Sequence, residues 1–110
     1  MKALALSPAA AGLLRALLRR VAEARDRVLL IEANSTDWQS LTFTGERHLF
    51  AIRITGADAA AIARTFTDGL SDAEFEMKGH IVADIATLPV IEEEDGSVLV
   101  RIEALTVGAD

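Results

Sequence analysis

Trp38-Gln39-Ser40-Leu41-Thr42-Phe43-Thr44-Gly45-Glu46-Arg47-His48-Leu49-Phe50-Ala51-Ile52-Arg53-Ile54 alternates apolar and polar residues on both sides of a glycine. That is the pattern of two strands joined by a tight reversal. With Gly45 and Glu46 as the loop, Thr44 faces Arg47, Phe43 faces His48, Leu41 faces Phe50 and Gln39 faces Ile52. One face then carries Leu41, Phe43, Phe50, Ile52 and Ile54, and the other Trp38, Ser40, Thr42, Leu49, Ala51 and Arg53. Register matters here, because a slip of one residue exchanges the two faces.

Working outward, Val28–Ile31 is an apolar run between Arg27 and Glu32 and reads as a strand covered on both faces or central in the sheet, with Asn34-Ser35-Thr36-Asp37 as a polar turn after it. Further upstream, Ser7-Pro8 is a helix start: the serine caps an orphan amide and the proline has no donor to waste. Ala10, Leu13, Leu14, Leu17, Val21 and Ala24 follow at three- and four-residue steps, so one amphipathic helix is expected through Ala24. Downstream, Thr55-Gly56-Ala57-Asp58 resembles a capping signature. Ala59, Ile62, Ala63, Phe66 and Leu70 then share a helical face, with Gly69 placed to end that helix.

From Glu74 the period changes to two. Phe75, Met77, Ile81, Ala83 and Ile85 alternate with Glu76, Lys78, His80, Val82 and Asp84, a half-buried strand in which Gly79 marks a bulge. Asp95-Gly96 is a two-residue hairpin signal that sets Ile91 against Val100, Pro89 against Ile102 and Ile85 against Thr106. Pro89 cannot donate to a ladder, so its strand lies at an edge or is interrupted. The chain end, Gly108-Ala109-Asp110, is expected to fray. The expected architecture is a single α+β domain over residues 1–110, a mainly antiparallel five-stranded sheet with two helices on one face, in the order α-β-β-β-α-β-β.

The 110 residues suffice to bury a core, and the absence of cysteine excludes disulfides, thiol nucleophiles and thiolate-bound zinc. The net charge of −6 is unevenly divided: +4 over residues 1–27 and −10 over the remainder. Such a distribution repels phosphate backbones and, with five aromatic residues in all, argues against nucleic acid as a partner. It favours association between the Arg-rich first helix and an acidic body, in the same chain or a second copy. The apolar stretch after Lys2 is too short for an export signal and no run approaches a membrane span, so a cytoplasmic protein without a membrane partner is expected.

The sheet face opposite the core is the candidate functional surface. It is expected to show Trp38, Leu49, Ala51 and Arg53 beside Leu99, Arg101, Glu103, Leu105 and Val107, with Trp38 and Arg53 directly opposed as a cation–π pair. A surface so apolar calls for a homodimer contact, cover by the first helix, or a small-ligand cleft. His48 reads as a hydrogen-bonded structural histidine beside Phe43, and His80 as a solvated one. His80 and Asp84 are about 13 Å apart along a strand, too far for a shared metal or a dyad. Glu92-Glu93-Glu94-Asp95 lacks the spacing of a calcium loop. No nucleophile elbow, phosphate loop or dinucleotide fingerprint is present, and no cofactor or metal is expected. The sequence therefore points first to a homodimeric binding module, with Trp38, Arg53, Arg101, Leu105, His80 and Asp84 as candidate ligand- or partner-binding residues. The second reading is a small enzyme or ligand carrier with a pocket between sheet and first helix, using His80, Asp84, Arg53 or Arg101.

Overall fold

The computed structural model describes residues 6–109; the export-signal reading of residues 1–5 and the fraying of Asp110 fall outside them. Helix α1, Pro8–Leu18, begins where the sequence places it. The Ser7 Oγ accepts from the Ala10 N–H at 3.1 Å. The same hydroxyl donates to Glu46 Oε1 at 2.7 Å, tying the helix start to the sheet. The helix is shorter than its apolar stripe. Beyond Leu18 the chain tightens into 3₁₀ turns over Arg19–Arg27, with non-helical backbone at Val21 and Ala24. Both residues stay buried, because a three-residue step keeps them on one side.

Strands β1 (Val28–Gln39) and β2 (Thr44–Ile54) follow, then helix α2 (Ala59–Thr67), β3 (His80–Thr87), β4 (Ile91–Glu92) and β5 (Val98–Gly108). All pairings are antiparallel, in the order β1-β2-β5-β3, with β4 also on β5. The molecule is thus the expected α+β sheet of five strands and two helices, but with two strands before α2 and three after it where three and two were expected, because Val28–Gln39 is one strand, at the sheet edge, and β3 and β4 are separate. Both helices cover one face. Leu13, Leu14 and Leu17 of α1, and Ala59, Ala63 and Phe66 of α2, share a core with Phe50, Ile52, Ile54, Ile85, Val98, Val100 and Ile102.

Three local expectations are corrected. The first reversal is at Ser40–Phe43, so Gln39 faces Thr44 and Ser35 faces His48. Ser40 closes it: its N–H donates to the Phe43 carbonyl at 2.8 Å and its Oγ accepts from the Phe43 N–H at 3.1 Å. Gly45 is needed within β2, where a Cβ would lie 1.9 Å from the Thr106 carbonyl oxygen. Leu41 and Phe43 are consequently exposed, not core, and Asn34–Asp37 belongs to one long β1 whose polar residues are wetted at the sheet edge.

The second hairpin has three loop residues, Glu94–Gly96. The Glu93 N–H donates to the Ser97 carbonyl and Gly96 takes φ +88°, so Ile91 faces Leu99 instead of Val100. This is the turn-plus-bulge form of hairpin. Ile85 accordingly faces Ala104, and Thr87 occupies the place opposite Ile102 that Pro89 was expected to hold. The Pro89 expectation holds in kind: β3 and β4 are separate stretches of one interrupted edge.

The third correction is in β3, which starts at His80. Phe75 and Met77 contact the core from a non-strand segment. Gly79, at φ +81°, ends the turn before β3, and the irregularity lies at Ala83 between Val82 and Asp84. That extra residue reverses the alternation, leaving Ile85 in the core and Ile81 exposed on the far side. In α2, Asp58 makes no cap hydrogen bond and pairs with Arg27 instead, while Thr55 Oγ1 donates to the Arg27 carbonyl. Gly69 does adopt the left-handed conformation, and Leu70 is buried just after it. Gly108 is part of β5, opposite His80.

Candidate functional site

The ladders arrange the sheet's open face in five rows across the strands. Leu29, Arg53, Leu99 and Ile91 form the first. Glu32, Ala51 and Arg101 form the second, and Asn34, Leu49, Glu103 and Ala86 the third. Thr36, Arg47, Leu105 and Asp84 make the fourth, and Trp38, Gly45, Val107 and Ile81 the fifth. Among the described residues, no helix packs on this side.

Trp38, Arg53, Arg101, Leu105 and Asp84 therefore emerge on one face, away from Phe50. They do not form one cluster. Trp38 registers with Gly45, eight residues from Arg53 along β2, or roughly 27 Å, so the expected cation–π pair is not made. Arg53 and Arg101 are neighbours on adjacent strands. The Nε of each is shielded from solvent without a hydrogen-bond partner, and Arg101 Nη2 makes a long contact of 3.4 Å with the Pro89 carbonyl. His80 is separated from the others: the bulge at Ala83 puts it on the core side, opposite Gly108, while Asp84 stands beside Leu105.

A depression of about 320 Å³ lies across the open face, bordered by Thr36, Arg47, Leu49, Asp84, Glu103 and Leu105. Of the four polar residues considered for a ligand pocket it contains Asp84 alone, and it lies on the side away from α1. Among the described residues no cluster of three His, Asp or Glu side chains has metal-binding geometry.

The charge of the first segment is used locally. Arg27 pairs with Asp58, Arg20 donates to the carbonyls of Phe66 and Asp68, and Arg25 donates to the Val28 carbonyl at 3.0 Å. These bonds fasten the 3₁₀ turns to α2 and to the root of β1. Arg15 and Arg19 remain exposed.

His48 is the hydrogen-bonded structural histidine expected from the sequence, but its partners, Ser35 and Thr106, were not foreseen there. His48 is 3% exposed, with Nδ1 2.7 Å from Ser35 Oγ and Nε2 2.8 Å from the Oγ1 of fully buried Thr106. Its ring stacks on Phe50, with 5.9 Å between centroids, and not on Phe43. Two hydroxyls, each able to donate or accept, satisfy either neutral tautomer. Burial lowers the His48 pKa below the usual 6.5; Glu46 opposes the shift and His80 adds to it. The missing signal was the register: only with Ser35 and Thr106 opposite or beside His48 does the trio appear.

No helix among the described residues is long and apolar enough to cross a membrane. No protein-family model and no curated protein matches the chain. Among solved structures, a chain from "Virion of native gene transfer agent (GTA) particle" matches with a TM-score of 0.61 and 17% sequence identity. The match covers 94% of this chain and 100% of that one.

Proposed function

We propose that this protein is a one-domain structural subunit that works in the cytoplasm by association with itself, as a dimer, through its open sheet face. The observation that carries this reading is that face itself. Leu49, Leu99 and Leu105 sit among exposed Leu29, Ile81 and Ile91, with no layer of the described chain over them. Apolar area of that extent on a small protein marks a contact surface. The likeness in fold to a chain of a virion, an assembly of many proteins, agrees with a role in assembly. The candidate contact residues are Trp38, Arg53, Arg101 and Leu105, with Asp84 at the margin; His80 lies on the other side and is not assigned to the contact.

Solution mass measured by light scattering at tens of micromolar tests the reading. A mass above that of one chain is expected, reduced by Trp38→Ala and brought to the monomer value by Leu105→Glu. A monomeric wild-type protein would end it.

A further inference from the structure

A second apolar feature, outside the open face, is the tip of the first hairpin. Leu41 is fully exposed and Phe43 more than half exposed. The stretch from Trp38 to Gly45 has no charged residue, and the first charges on either side of it are Asp37 and Glu46. Two large apolar side chains on an uncharged tip with acidic shoulders are the kind of exposed feature that marks a contact.

A groove of about 470 Å³ lies on the helical side of the molecule, between the 3₁₀ turns and α2. That volume falls within the roughly 300–1,000 Å³ of ordinary binding pockets. Its apolar lining is Val21, Ala22, Ala24, Ala61 and Ile62, and its charged members are Arg19, Arg20 and Glu23. Arg15, exposed one helical turn before Arg19, extends the basic rim. The rim is thus net positive in a chain that carries −6, and it complements the tip in charge as well as in apolarity.

One copy does not bring its own two features together. Ser7 bonds to Glu46 near the tip, and the eleven residues of α1, about 16 Å, separate it from the 3₁₀ turns. The tip extends past the last row of the open face and the groove is on the opposite side of the sheet, so contact through that face leaves both free.

We infer that the Ser40–Phe43 tip of one copy docks in the groove between the 3₁₀ turns and α2 of the next, with Leu41 and Phe43 entering it and Asp37 facing Arg19. The two surfaces differ, so the contact is head-to-tail. Each joined pair keeps one free tip and one free groove, and the contact repeats until a ring closes or a filament grows. Two side chains and their shoulders bury less than the roughly 1,200 Å² of a stable complex, so the contact is weak by itself. It forms at millimolar concentration and leaves the Leu105→Glu chain monomeric at tens of micromolar.

A head-to-tail contact can be rebuilt from two chains, each defective in a different half. Both chains carry Leu105→Glu, which removes the open-face contact. The first adds Ala61→Glu, at an exposed groove position where an acidic residue suits the first turn of α2, and keeps its tip. The second adds Leu41→Ser and Phe43→Ser, at exposed positions, and keeps its groove. NMR spectra of the isotope-labelled first chain are recorded at millimolar concentration with the unlabelled second chain, and with unlabelled first chain as the control. The Ser40–Phe43 amides are expected to shift with the second chain and to stay in place in the control. Tip amides that do not move with the second chain, or that move as far in the control, overturn the inference. Should Leu105→Glu unfold the chain, the same amides are read with Leu105 intact. The mass of the wild-type protein judges the open-face reading and the tip amides judge this one, so either can fail alone.

Discussion

At the scale of single residues, His48 is the most informative. A buried imidazole held neutral makes the folded state bind protons less readily than the unfolded chain. The sign follows: stability is full above pH 6.5, the ordinary histidine value, and falls as pH drops from there toward the lowered native value, levelling off below it. Urea midpoints measured from pH 7.5 to 5 should show this slope in the wild type, and His48→Gln should flatten it. An unchanged slope in the variant would assign the pH response to other groups. Gly45 is decisive for a different reason: β2 can approach β5 only where no side chain intervenes.

At the scale of elements, the start of α1 does two jobs through one hydroxyl, capping the helix and reaching Glu46 on β2. Ser7→Ala removes both bonds and should cost about 1–2 kcal/mol in chemical unfolding; a loss below about 0.5 kcal/mol would show that the cap contributes little. Helices and the apolar alternation of β2 and β5 were legible because their periods are local. Turn positions were not. Gly45-Glu46 looks like a loop until the cost of a side chain against Thr106 is known, and that cost depends on a strand sixty residues away. Ser40, able to close a turn with its own side chain, was the overlooked local signal. The open face survived these errors because the faces of β2 and β5 are set by their own alternation. The Trp38–Arg53 pairing depended on loop position and was lost with it.

At the scale of the whole molecule, the two margins of the sheet differ. The β3–β4 margin is broken by the irregularity at Ala83 and by Pro89, devices that discourage added strands. The β1 margin runs from Val28 to Gln39 with one irregularity, at Ile31, and no proline. Face-to-face stacking of two copies leaves that border unpaired in both. Its amides should therefore trade deuterium in alternation, every second one protected by β2 and the others exchanging fast, even in the associated state. Uniform protection along Val28–Gln39, read by NMR or fragment mass spectrometry, would mean instead that subunits join rim to rim into one continuous sheet.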